Sequence, residues 1–371
     1  MNEAKANVKT EQIENIQIPH KKKPWTKIEI FGLVLVVASI LTLLISPTTL
    51  SGLFNSVIDK VFPVIVDVFL TGQVGIAIIV SVIIGRSLER LGFTDALVRV
   101  FVPITKMMKI NSTVIIPSIY NILGDINAAG KIAGPILVRA KATKAEQKIA
   151  IATMVQSQQS FSTFMLGLVA LTTVGANAFI VVMIAVFSPL FIVPFILSKT
   201  IYRDVKPVDF KALPTFTPST RPLPTLFNAA REGAELLFLL IIPAVAAIFT
   251  IIGILEFAGV WSYIESGLSS ALFALGIDPK TGILSILASP TLAMGTLAET
   301  AAEIDPRLVV GSFVLASSGL PASSVFGQIP VIWANYSDLN EKEAMGAAVL
   351  GICMRIVTAF LIVYLLTPIL L

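Results

Sequence analysis

Cysteine and histidine are nearly missing from this chain of 371 residues, which has one of each: Cys353 in the last apolar run and His20 in a polar tail. One cysteine cannot form an internal disulfide or a cysteine-based metal site, and one histidine in a tail excludes zinc sites and histidine proton relays. Charge is also scarce, at 13% of residues against 55% hydrophobic, with a mean hydropathy of +0.88. That balance leaves more apolar surface than a soluble core can hide and indicates an all-α polytopic membrane protein. The phosphate loop G-x-x-x-x-G-K-[ST], the elbow G-x-S-x-G and the zinc motif H-E-x-x-H are all absent. ATP-driven transport and hydrolysis therefore lose their usual signatures, and the chain is not expected to be an enzyme.

What is present is a series of apolar runs. Residues 1–27 form a polar tail ending in Lys21-Lys22-Lys23-Pro24-Trp25, followed by an apolar run from Ile28 to Ile45. No small-residue cleavage pattern follows, so this reads as a first transmembrane helix with its connection (28–56) and a cytoplasmic N-terminus. A helix is expected over 57–86, a basic interfacial segment over 92–109, a hairpin over 112–140, a broken helix over 145–172 and a helix over 177–199. The proline-rich stretch 201–225 reads as a cytoplasmic linker. The order then starts again: helix 229–256, interfacial segment 259–275, hairpin 280–304, broken helix 306–330 and final helix 343–368. Local matches at an offset of 167 accompany this order: Leu91-Gly92-Phe93 with Ala258-Gly259-Val260, Lys109-Ile110-Asn111 with Gly276-Ile277-Asp278, and Ser118-Ile119 with Ser285-Ile286. The expected domains are a first repeat at 57–200 and a second repeat of inverted topology at 226–371.

Charge tests the inversion. With the N-terminus inside, the segments assigned to the cytoplasm hold 22 of the 27 Lys and Arg residues, the outer side holds only Lys60, Lys280 and Arg307, and Lys131 and Arg355 fall within membrane regions. This is the positive-inside asymmetry that an inverted repeat requires, and it accounts for the net charge of +4 without a nucleic-acid partner.

Two interrupted stretches, 117–131 and 284–299, place small and polar residues where a membrane helix should be smooth. In transporters built from repeats, such breaks in corresponding positions point to the binding site. The first half offers Asn121, Asp125, Asn127 and Lys131 at the hairpin, then Gln156, Ser157, Gln158, Gln159 and Ser160 in the broken helix. The second half offers Thr291 and Thr296, then Ser317, Ser318, Ser323 and Ser324. These hydrogen-bonding groups suit a small polar or zwitterionic solute. Asp125 is the candidate for ion coupling, because an ionisable group at membrane depth costs roughly 2.5–3.5 kcal/mol on insertion scales and defaults to a functional role. Asp125 could equally pair with Lys131 or cap a helix, and Arg355 reads more as a structural partner for a carboxylate or carbonyl. No cofactor is expected beyond a coupling Na⁺ or H⁺.

A hairpin with a polar tip, a basic connector (Arg139, Lys141, Lys144, Lys148) and a helix broken by a polar cluster together resemble the Gate, or nucleoside-recognition, domain. That domain is shared by concentrative nucleoside transporters, the membrane part of the ferrous iron transporter FeoB and paired spore-maturation membrane proteins, and here it would cover about 60–200 and 226–371. The chain departs from those relatives. Gly124-Asp125-Ile126-Asn127-Ala128 stands where nucleoside carriers have a Gly-Gln-Thr-Glu-Ala type of signature, and the gate cysteines and GTPase domain of the iron transporter are lacking. The resemblance implies a two-repeat scaffold whose hairpins meet near the membrane centre and move as an elevator. The expected function is secondary transport of a nucleoside-like or amino-acid-like solute in the cytoplasmic membrane of a bacterium. The alternative is a non-transporting assembly or spore-maturation-type factor on the same scaffold. The expected partners are the solute and the lipid bilayer, with self-association left open.

Overall fold

The computed structural model describes residues 25–124, 126–206 and 215–367; the side chains of residues 73, 102, 104, 106 and 127 are not described. The tail through Pro24, the hairpin residue Asp125 and linker residues 207–214 thus lie outside the described residues. The chain divides into two units, 1–55 and 56–371. Every regular element among the described residues is a helix. Four helices are long and apolar enough to cross a membrane, or six if each of two bent pairs is one span, as a multi-pass membrane protein requires.

The first unit contains α1 (Lys27–Ile45), which opens on a capping box in which Thr26 and Glu29 satisfy each other's backbone amides. No residue of α1 is buried. Helix α2 (Pro47–Pro63) begins in this unit and runs into the second.

The second unit departs from the expected single helix at 57–86. A π-helical stretch, Val64–Leu70, ends at Thr71, and α3 (Gln73–Arg90) starts anew. Gly72 makes the break, because a Cβ there would lie 2.5 Å from the carbonyl oxygens of Asp67 and Val68. Next come α4 (Phe93–Met107), the hairpin helices α5 (Ile116–Leu123) and α6 (Ile126–Arg139), and the interrupted pair α7 (Lys144–Gln156) and α8 (Phe161–Thr173). The first half closes with α9 (Ala178–Lys199).

The second half opens with α10 (Pro222–Phe257). It begins earlier than the proline content suggested, since Pro222 sits at the first helical turn, where its missing N–H costs nothing. Then follow α11 (Trp261–Ala274), the hairpin helices α12 (Pro279–Leu287) and α13 (Pro290–Thr300), α14 (Pro306–Ala316), α15 over 324–336 and α16 (Glu341–Leu366).

Backbone conformation supports the 167-residue offset independently of residue identity. Gly92 and Gly259 both have positive φ (82° and 70°), and so do Lys109 and Gly276 (57° and 74°), each pair lying 167 apart. Lys109 and Gly276 end α4 and α11, and the residues two further on, Asn111 and Asp278, cap the next helical turn with their side chains. In the second half this turn bends α11 against α12 by 114°.

Of the four apolar clusters in the unit, the two largest each include the first member of an interrupted pair. Ile149, Ala150, Ile151, Ala152, Met154 and Val155 of α7 are all fully buried, as are Val309, Val310, Phe313, Val314 and Ala316 of α14. A helix enclosed on every side belongs to the protein interior and faces no lipid. Helix α16 reaches α7 through a seam of small residues, Ala344, Ala347, Ala348 and Gly351, where a Cβ on Gly351 would stand 2.7 Å from the Ala152 carbonyl oxygen. At one end of the seam, Lys144 and Lys148 bind Glu343 at 3.2 and 3.0 Å.

Candidate functional site

Helix α7 ends at Gln156 and α8 does not start until Phe161, because Ser157 and Ser160 are both extended (ψ 164° at each) and Ser160 caps α8 by accepting the Thr163 amide. In the second half, α14 ends at Ala316 and the chain leaves helix through Ser317 to Pro321. The two breaks are joined by backbone: the Gln159 N–H donates to the Ser317 carbonyl (3.1 Å) and the Gly319 N–H to the Val155 carbonyl (2.9 Å). Backbone groups freed by unwinding are thus partly satisfied by each other, as apolar surroundings demand. Gly319 allows this approach, since a Cβ there would meet the Val155 oxygen at 3.1 Å.

The hairpin tips reach the same place. A cavity of about 540 Å³ is lined by Leu123, Gly124 and Ile126 of the first tip, Ala288, Ser289, Pro290 and Thr291 of the second, Gln159, Ser160 and Ser162 at the first break and Pro321, Ser323 and Ser324 at the second, with Gln328 beyond. Hydrogen bonds tie these parts together. Thr163 Oγ1 lies 3.0 Å from Thr291 Oγ1 and 2.9 Å from Ser160 Oγ, and Gln159 Nε2 donates to Ser324 Oγ at 3.3 Å. Ser162 accepts from Ser81 of α3 at 2.8 Å.

Of the residues expected at the site, Gln159, Ser160, Thr291, Ser323 and Ser324 line this cavity. Asn127 stands in the first turn of α6, beside the lining residues Ile126 and Ala128; its side chain and all of Asp125 fall outside the described residues. Ser157, Ser317, Ser318 and Thr296 do not line it. Ser157, Ser317 and Ser318 are turned back on their own helix ends, donating to the carbonyls of Met154, Phe313 and Leu315, and Thr296 is buried within α13. A hydroxyl close to a helix C-terminus finds an unpaired carbonyl nearby and takes it. Gln156 and Gln158 are completely buried with no partner for either amide atom among the described residues. Gln156 lines a separate groove of about 330 Å³ between α9 and α16.

Apart from Lys131, the charged wall of the cavity was not expected. Arg86 of α3 and Glu232 and Glu235 of α10 line it together with Lys131. Arg86 donates from Nε to Glu232 (2.9 Å) and from Nη1 to Glu89 (2.7 Å), and its Nη2 also bonds Glu232. In sequence Arg86, Glu232 and Glu235 look like ordinary cytoplasmic charges at span ends; no local signal pairs residues 146 positions apart.

Arg355 is fully buried and meets no carboxylate among the described residues: Nε donates to the Val314 carbonyl (2.8 Å) and Nη1 to the Ala185 carbonyl (2.5 Å), while Nη2 has no partner among them. It thus has the carbonyl partners expected of a structural arginine.

No family model matches this chain, and no curated protein matches it. Among solved structures, that of CNTnw, a concentrative nucleoside transporter, in an inward-facing substrate-bound state superposes with a TM-score of 0.54 at 14% sequence identity, covering 91% of this chain and 85% of that chain. The chain shares the fold of a membrane transporter over almost its whole length.

Proposed function

We propose that this protein is a secondary transporter of a small polar solute in a bacterial cytoplasmic membrane. The observation that carries this reading is the single cavity on which both hairpin tips and both helix breaks converge. A cavity bounded by irregular backbone from two opposed halves, with hydroxyls and amides set in a largely apolar lining, is the arrangement that alternating access needs. The space of about 540 Å³ weighs against an assembly factor, whose hairpins would need only to pack against each other. The halves are proposed to have inverted topology with the N-terminus inside, and the tips and breaks to move as an elevator against α3 and α10. Na⁺ or H⁺ is the proposed coupling ion, with Asp125 its candidate carrier. The end of α7 adds further cation-binding capacity, since Asn121 Oδ1 and Gln158 Oε1 are buried there without partners among the described residues and a helix C-terminus favours positive charge.

A thermal-shift screen of polar metabolites on purified protein identifies the solute, because a ligand at about 100 times its Kd raises stability by roughly 2.7 kcal/mol. Uptake of that solute into proteoliposomes is then expected to fall at least tenfold in the double variant Gln159→Ala, Thr291→Val. Unchanged uptake in a correctly folded double variant would overturn the site.

A further inference from the structure

We propose that the base of the first hairpin, together with α4, is a binding surface for anionic phospholipid: Lys109, Arg139 and Lys141 hold the headgroup phosphate, and the outer face of α4 holds the acyl chains. This goes beyond the transport reading and does not depend on it.

Helix α4 carries two apolar faces. Thr94, Val98 and Phe101 turn inward, where Thr94 and Val98 are buried and Phe101 packs against Phe187 and Phe191. Phe93, Val100 and Met107, seven residues apart in turn, are 41%, 63% and 82% exposed and form a stripe directed away from that core. Arg99 borders the stripe and is exposed. The one carboxylate of α4, Asp95, is occupied by the amides of Phe216 and Thr217. An exposed apolar stripe edged by basic side chains is what a helix lying in a membrane interface presents.

The spans beside the hairpin base fix its level. Helix α9 ends at Lys199 and α16 starts at Glu341. The chain beyond α9 brings the Lys206 N–H to buried Glu146 at 2.9 Å, and Glu343 of α16 binds Lys144 and Lys148. The base therefore stands where two apolar spans reach the membrane surface.

Here the ends of α4 and α6 are joined, since Asn111 Nδ2 donates to the Ala140 carbonyl at 3.1 Å. Both helices finish on a left-handed lysine, Lys109 (φ 57°) and Lys141 (φ 54°), and the amide that follows each closes back on Thr105 and Leu137 respectively. This ending favours glycine, and Gly276 makes the equivalent turn in the second half. Lys109 and Lys141 are the only non-glycine residues of positive φ among the described residues. The turns gain nothing from lysine, whereas a ligand for two neighbouring ammonium groups does.

Charge at the base is not balanced. Lys109, Arg139, Lys141, Arg203 and Lys206 form no ion pair among the described residues, while Lys144 already binds Glu343. Three carboxylates stand nearby: Glu146 accepts the backbone amides of Asn111, Thr143 and Lys206, Asp338 accepts the Gln147 amide, and Asp204 is exposed. Linker residues 207–214 add one charge of each sign, Asp209 and Lys211. The cations are thus in surplus, and the apolar stripe beside them suits a lipid phosphate over a soluble anion.

The test is native mass spectrometry of purified full-length protein in neutral detergent, titrated with dioleoylphosphatidylglycerol or dioleoylphosphatidylcholine. The anionic lipid is expected to bind at least fivefold more tightly. The triple variant Lys109→Gly, Arg139→Gln, Lys141→Gly keeps both turns and is expected to lose the preference. Lys109→Arg with Lys141→Arg is expected to retain it, as is Lys60→Gln, which removes a cation paired with Glu256 instead. Thermal unfolding without added lipid gives a second readout: Lys109→Gly with Lys141→Gly is expected to melt no lower than the parent, because glycine relieves the backbone. Equal binding of the two lipids by the parent, or a preference that survives the triple variant, overturns the proposal. A lower melting temperature of the glycine pair also overturns it, since the lysines would then be structural. So does displacement of the lipid by glycerol 3-phosphate at equal concentration, which would mean a free-phosphate site with no use for the stripe.

Discussion

At the end of α14 each of the last four carbonyls has a resident donor. Ser317 Oγ donates to Phe313, Arg355 Nε to Val314, Ser318 Oγ to Leu315 and Ser285 Oγ to Ala316. The corresponding end of α7 is built from amides that are left over. Ser157 and Asn121 reach the Met154 carbonyl, but among the described residues Asn121 Oδ1 and both polar atoms of Gln156 and Gln158 have no partner, and no basic side chain donates to the helix end. A buried polar group without a partner costs about 1–3 kcal/mol, so such a cluster persists only where something other than stability maintains it. The two halves share an architecture but differ in how the break is finished: at the second, Arg355 supplies donors, with its Nη2 left buried and unpartnered among the described residues, and at the first only amides and a hydroxyl are present.

The comparison is broken most severely at Arg355. Replacing it with Met strips donors from the Val314 and Ala185 carbonyls, and at 1–3 kcal/mol for each the expected loss is about 2–6 kcal/mol. Thermal unfolding in detergent checks this, and a variant as stable as the parent would show that the second break needs no resident charge. Gln158→Leu is the opposite experiment at the first break. It removes two unpaired atoms at similar volume, so stability is expected to hold or rise by about 1 kcal/mol while dependence of binding on Na⁺ or pH is lost. A large drop in stability would mean that the amide is structural.

The smallest effect concerns the linker, whose described residues 215–217 bind the first half. Asp95 of α4 accepts the amides of Phe216 and Thr217 (2.7 and 3.0 Å) and the Thr217 hydroxyl, while Phe216 packs against Tyr120 of the first hairpin. Partial burial tends to raise this carboxyl, but the hydrogen bonds from Thr217 and Phe216, with Arg99 nearby, outweigh it and hold the carboxyl below the usual aspartate range. A depressed carboxylate contributes stability above its unfolded value and loses it as pH falls through the folded one. Protection of 215–221 from hydrogen exchange, relative to the unfolded chain at the same pH, is therefore expected to hold at neutral pH and to fall below about pH 4. Asp95→Asn should lower that protection at every pH, and protection in the parent that does not change with pH would remove Asp95 as the clamp.

Much of this was legible in order and spacing. The hairpins, the interrupted helices and the 167-residue offset follow from where apolar runs stop, because unwound backbone at membrane depth requires polar and small residues beside it. The missed break at Thr71-Gly72 lies within an apolar run where a lone glycine gives little warning. The early start of α10 was hidden by prolines that serve a helix start as well as a linker.

The sequence by itself determined that this is a multi-pass helical membrane protein with two polar interruptions, since composition and period state what each segment can bury. Only the tertiary structure decided which polar residues share a cavity. Gln159, Ser160, Thr291, Ser323 and Ser324 come together, joined by Arg86 and Lys131, while Ser317 and Ser318 turn away. A side chain's partner across more than a hundred residues is set by packing, and a serine near a helix end reads the same whether it faces a solute or its own carbonyl.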